Sequence, residues 1–181
     1  MTPRAIAMML SLVFAAATLA VGACSAPSDA RIGIIAPDRA QFDPVGKFMD
    51  HRCGSLDCHG MRQRNFQVFG CEGLRLENDA GTAVPGCKNS GGKDTTEAEF
   101  SATYRSLVSL EPSVMTEVVQ GGGKHPELLT FIRKARGADL HKGGQVVVPG
   151  DAQDTCMTTW LAGSTDTGAC AQAAQTDAGF P

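Results

Sequence analysis

A chain of 181 residues suits a single domain with short flanking segments and argues against a multidomain enzyme. Its 16 Lys and Arg against 19 Asp and Glu leave a formal charge of −3, which gives no electrostatic footprint for nucleic acid. One Trp, one Tyr and eight Phe stand against 21 Gly and seven Cys, so the core is expected to need covalent staples or a bound group.

Arg4 precedes a nearly continuous apolar run from Ala5 to Val21, then Gly22-Ala23 and Cys24. A basic start, an apolar stretch and small residues in that order read as a secretory signal over residues 1–23. Leu19-Ala20-Val21-Gly22-Ala23-Cys24 resembles a bacterial lipobox, which implies cleavage before Cys24 and lipidation of its sulfur. The competing reading is an uncleaved anchor, because the apolar run is just long enough to span a bilayer. Either way the domain is expected outside the cytoplasm, tethered to a bacterial membrane (periplasm-facing or outer membrane), where disulfides persist. A chain beginning at Cys24 has 158 residues and a charge of −4. Residues 24–41 read as a tether carrying Pro27, Pro37 and an apolar patch at Ile32–Ile35.

The domain proper is expected over 42–163, mostly α-helical, with short helices joined by long glycine-rich loops. Asp43-Pro44 reads as a capping carboxylate followed by proline at the first helical position. Val45, Phe48 and Met49 give that helix, running to about His51, one apolar face. Phe66, Val68, Leu74 and Leu76 suggest short extended pieces, and Asn78–Gly92 reads as loop. A second helix runs from Thr95-Thr96-Glu97 to about Leu110. A third starts at Pro112 and stops at Gly121-Gly122-Gly123, and a fourth runs from His125-Pro126 to Gly137. Gln145–Val148 is extended. Asp151 caps a last helix to about Ala162, with Cys156, Met157, Trp160 and Leu161 at core spacing and Gly163 at its end. Residues 164–181 read as a polar, mobile tail fixed only at Cys170.

The chemistry concentrates in Arg52-Cys53-Gly54-Ser55-Leu56-Asp57-Cys58-His59-Gly60. Two cysteines followed at once by histidine follow the logic of covalent haem attachment: each thiol adds to a vinyl group and the histidine becomes the proximal iron ligand. Four residues separate the cysteines where two are usual, and Gly54 and Asp57 make the required bulge feasible. A small disulfide loop, a redox dithiol and half a zinc site with another histidine are the competing readings. No Ser/His/Asp order, phosphate-cradling loop or glycosidase-like carboxylate pair stands out.

The segment resembles the c-type cytochrome domains of bacterial lipoproteins. The helix ahead of the motif and the closing Pro149–Gly163 helix are similar to the helix pair of a cytochrome c-like fold. Leu140-His141-Lys142-Gly143-Gly144 resembles the His-x-Gly-Gly element of planctomycete-type cytochrome c domains. The resemblance implies one covalent haem c bound through Cys53 and Cys58, its iron held by His59 and, on the distal side, His141. His125, Met115 or an open position are the alternatives for the distal ligand. Met157 reads as core filler, and His51 as too near the motif to reach the far face. Arg62, Arg64 and Arg75 are candidates to pair with haem propionates.

Six cysteines remain once Cys24 is set aside, and fifteen complete pairings of them are possible. Cys71 with Cys87, and Cys156 with Cys170, would close local loops of about fifteen residues worth roughly 3 kcal/mol each. The expected function is electron transfer between redox partner proteins rather than enzymatic turnover, with the membrane reached through the lipid. A disulfide-stapled lipoprotein without haem, with a binding or structural role, is the rival.

Overall fold

A computed structural model describes residues 33–76, 87–88 and 92–175. The chain divides into Met1–Gly33 and Ile34–Pro181, and every helix described lies in the second unit. The expected signal, Cys24 and most of the tether lie outside the described residues, as do 78–86 and 89–91 of the long loop. None of the helices among the described residues is long and apolar enough to cross a membrane.

The described residues are mostly α-helical, as expected. Six helices follow one another: α1 (Asp43–Cys53), α2 (Glu97–Val108), α3 (Pro112–Gln120), α4 (Thr130–Ala135), α5 (Ala152–Leu161) and α6 (Thr167–Gln175). The extended pieces expected between residues 66 and 76 reduce to isolated bridges, Ser55 with Gly73 and Phe69 with Leu74.

Local chemistry accounts for most helix ends. Thr96 and Glu99 form a reciprocal capping box on α2, and the Asp151 carboxylate caps α5 through the Asp154 amide. Asp43 is a correction: Phe42 occupies the capping position without a side-chain bond, and Asp43 lies inside α1, where its carboxylate accepts from Arg39 at 2.6 Å. The single helix expected from His125 to Gly137 is also two pieces, a 3-10 turn at Pro126–Leu128 and then α4. Leu129 supplies α4 with no side-chain cap. Glu111 does so from the start of α3, accepting from the Thr130 amide and hydroxyl at 2.7 and 2.8 Å.

The tail offers the largest correction. Residues expected to be mobile form α6, which packs on both α1 and α5. The Asp166 carboxylate accepts from the Ala169 amide at 2.9 Å, and Cys170 and Ala173 are buried three residues apart on its inner face. The Cys156–Cys170 disulfide, with sulfurs 2.01 Å apart, staples α6 to α5. The second staple joins Cys71 to Cys87.

Scarce aromatics are spent at one point. The lone Trp and Tyr meet Phe42: ring centres lie 5.1 Å apart for Phe42 and Trp160, and 5.5 Å for Phe42 and Tyr104. Each polar handle finds a backbone carbonyl of the segment read as tether, Tyr104 on Pro37 and Trp160 on Asp38. Buried aromatics with satisfied N–H and O–H groups supply large apolar area at no polar cost. Residues 37–42 therefore belong to the packed domain.

Candidate functional site

The motif loop owes its shape to backbone packed on backbone. Cys53, at the end of α1, accepts the His59 amide at 2.9 Å, while Ser55 O accepts the amides of Cys58 and Gly60 at 3.0 and 2.9 Å. A Cβ on Gly60 or Gly73 would lie 1.9 or 2.0 Å from Gly54 O, so neither position tolerates a side chain. These bonds and close approaches fold the four residues between the cysteines into a compact loop. Both thiols are unbonded, unlike the other four cysteines in the described residues. Burial pushes the Cys53 thiol up to about 12, with the neighbouring Cys58 sulfur adding to the rise. A thiol so disfavoured as thiolate does not suit a redox-active dithiol.

His59 is oriented by its own loop. Its Nδ1 lies 3.0 Å from Phe66 O and its ring centre 4.8 Å from the Phe66 ring. An Nδ1–H donating to that carbonyl leaves Nε2 with a free lone pair, the arrangement metal-bound histidines adopt. Burial lowers the His59 pKa, with smaller contributions from His141 and Arg64, and favours the neutral ring.

His141 arrives from the other side, on the turn after α4. Lys134 donates to Leu140 O at 2.8 Å and Arg133 pairs with Asp139 at 2.8 Å, so α4 holds the turn. His141 Nδ1 lies 3.1 Å from Gly144 O, and the Gly144 amide returns to His141 O at 2.9 Å. Gly144 has φ of 66°, which glycine adopts without strain. The same tautomer argument leaves His141 Nε2 free.

The two imidazoles face one another with ring centres 6.0 Å apart and planes inclined by 18°. The near-parallel planes make this a stacked arrangement at long range. Two imidazoles sharing one metal, with bonds of about 2 Å and roughly 1 Å from each nitrogen to its ring centre, have centres about 6 Å apart. Both border a cavity of about 840 Å³, lined by Cys53, Cys58 and the apolar Phe48, Phe66, Phe131 and Val147. Ligand and cofactor sites are commonly of this size and apolar character. The two imidazoles, the two unbonded thiols and the apolar lining are the groups here that could hold a flat, largely apolar cofactor with a central metal.

The alternatives fall elsewhere. His125 stands exposed in the left-handed region (φ 56°), its Nδ1 3.0 Å from Glu127. Met115 is buried in the core away from the cavity. His51 lies 3.8 Å from Glu72. Arg75 is not free to meet a ligand: it forms a buried pair with Glu99 at 2.7 Å and donates to Lys93 O. Arg64 borders the cavity while donating to Cys58 O at 2.9 Å, whereas Arg62 is not part of the lining. The motif donors and His141 do not converge on one tetrahedral point; among the described residues, the group of donor atoms that meets within 4.8 Å is Cys71, Glu72 and Cys87.

Met49 and Met157, both nearly fully buried, also line the cavity, a role sequence reasoning missed. Met49 lies one helical turn before Cys53, so helix periodicity carried the signal. Met157 carried none, since its spacing is that of ordinary core. Compared with family models, with curated proteins and with solved structures, the chain finds no match in any of the three.

Proposed function

We propose that this chain is a membrane-tethered, extracytoplasmic c-type cytochrome of cytochrome c-like fold that carries electrons through one haem. The observation that carries the reading is the meeting of His59 and His141, distant in sequence, ring to ring at 6.0 Å beside a cavity bordered by two unbonded thiols. Cys53 and Cys58 are the anchors, His59 the proximal ligand and His141 the distal one. Cys24 is the lipid site, and redox proteins are the partners. A covalently bound haem supplies a one-electron ferrous–ferric couple.

The chain's own residues do the rest. Phe66 O and Gly144 O hold each imidazole in the tautomer that presents Nε2. Phe48, Phe131 and Val147 give the cavity an apolar wall against which a flat apolar group would pack. Two neutral imidazoles, rather than a histidine and a thioether, set a lower potential with other factors equal.

The test is a reduced-minus-oxidised visible spectrum of protein made in a host with cytochrome c maturation, together with a haem-stained denaturing gel. Haem should stay with the denatured chain and vanish from it in Cys53→Ala/Cys58→Ala. His141→Ala should convert a low-spin ferrous spectrum into one that shifts with carbon monoxide, while His125→Ala should leave it unchanged. A colourless, stain-negative protein would overturn the cytochrome and leave the disulfide-stapled lipoprotein. Carbon monoxide binding by the unaltered chain would overturn the role of His141 and point to an open iron site.

A further inference from the structure

On the side of α1 carrying His51 and Asp50, the Cys71–Cys87 disulfide forms a second constellation. Cys87 Sγ lies 3.3 Å from Glu72 Oε1, and the donor atoms of Cys71, Glu72 and Cys87 all meet within 4.8 Å. His51 Nδ1 lies 3.8 Å from the same carboxylate oxygen. We propose that Cys71, Cys87 and Glu72, completed by His51, form a site for a thiophilic divalent cation of the zinc class that opens when the Cys71–Cys87 disulfide is reduced.

The spacing supports it. A tetrahedral zinc with Zn–S bonds of about 2.3 Å sets its sulfurs about 3.8 Å apart and each sulfur about 3.5 Å from a carboxylate oxygen. The Cys87 sulfur already lies at nearly that distance, 3.3 Å, from Glu72 Oε1. The two sulfurs must separate, and His51, which lies beside Glu72 but outside the group of donors that meets within 4.8 Å, must turn in to complete the set. Two sulfurs, one imidazole and one carboxylate form a donor set that zinc accepts.

The backbone is prepared for it. Asp50 accepts the amides of Cys71 and Glu72 at 3.2 and 3.3 Å, fixing two of the donors from α1. An adjoining cleft of about 540 Å³ is lined by Asp43, Asp94 and Glu72 beside the single cation Lys47, and this favours cation approach. The two disulfides differ in access: Cys156 and Cys170 are fully buried, whereas Cys71 and Cys87 are only partly so. Mild reduction should therefore open the metal-forming pair first.

The reaction balances with a dithiol reductant. Its two thiols become a disulfide as the Cys71–Cys87 bond breaks, and their protons pass to the two sulfurs. A divalent cation then replaces both thiol protons, which leave to solvent. With the metal bound, the pair is withheld from reoxidation. The site stands apart from His59 and His141 and does not depend on a haem.

The experiment uses the full chain as Cys53→Ser/Cys58→Ser, so that the motif thiols do not compete. It is reduced under native conditions with a water-soluble phosphine, which is oxidised to its oxide with oxygen from water. Thiols are counted, and cobalt(II) and zinc are then titrated. Reduction should release two thiols beyond any on Cys24, and cobalt should then give thiolate charge-transfer and tetrahedral bands that one equivalent of zinc abolishes. Glu72→Gln should weaken zinc by at least about tenfold, and the unreduced protein should show no bands. Circular dichroism checks each variant; if Cys71→Ser/Cys87→Ser does not fold, Glu72→Gln, folded with its bridge and then reduced, decides. Release of no thiols, absence of bands after release, bands that survive Cys71→Ser/Cys87→Ser, or unchanged affinity in Glu72→Gln would each overturn the site.

Discussion

Asp50 illustrates how one buried residue organises two loops. Only 5% exposed, it accepts from the Cys71 and Glu72 amides and from the Thr95 hydroxyl. Burial raises its pKa above 3.8, partly offset by those bonds, Thr95 first. The folded state thus holds this proton more tightly than the unfolded chain. Its contribution to stability is complete below 3.8 and is lost as pH rises through the raised value. The Tm advantage of the natural chain over Asp50→Asn should accordingly grow as pH falls from neutral towards about 4. An advantage that shrinks over that range would mean that the hydrogen bonds outweigh burial. Little of this was legible beforehand: Asp50 in the sequence is one helical acid among many, and only its neighbours make it different. His141 and His125 make the same point. Each is a loop histidine near glycines, but the turn held by Arg133 and Lys134 aims one at His59, while Glu127 holds the other at the surface.

At the scale of elements, helices with strong local signals lie where their caps and periodicity put them. The Thr96 capping box, Pro112 and Asp151 act within one turn, so their effect needs no tertiary knowledge. Helix α6 had signals too, Asp166 as cap and an Ala-rich run of high helix propensity, hidden by the polar composition of the tail. What makes it persist is the disulfide to α5 and packing on α1. Opening that bridge as Cys156→Ala/Cys170→Ala should cost about 3 kcal/mol by the chain-entropy argument, measured by urea unfolding. Retention of full stability would show α6 to be held by packing alone. The break between Pro126–Leu128 and α4 has a different origin, since Glu111 from a neighbouring helix supplies the cap.

At the scale of the molecule, a chain poor in aromatics leaves an apolar cavity of about 840 Å³ between α1, the motif loop, α4 and the His141 turn. A group bound there would touch all four at once and stabilise only the folded state. On the proposed cytochrome reading, protein made without cytochrome maturation should therefore melt at a lower temperature than protein made with it, with hydrogen exchange fastest in residues 139–148. Equal melting temperatures would mean that the fold is complete without the group. The amino-acid sequence by itself determined the mostly helical class and most helix starts, because caps and periodicity act over a few residues. Only the tertiary structure decided which histidine faces His59, which cysteines pair, that Arg75 is spent on Glu99 and that the tail is a helix. Those outcomes depend on contacts between residues far apart in sequence, where the burial and hydrogen bonds that offset loop-closure entropy leave no local pattern.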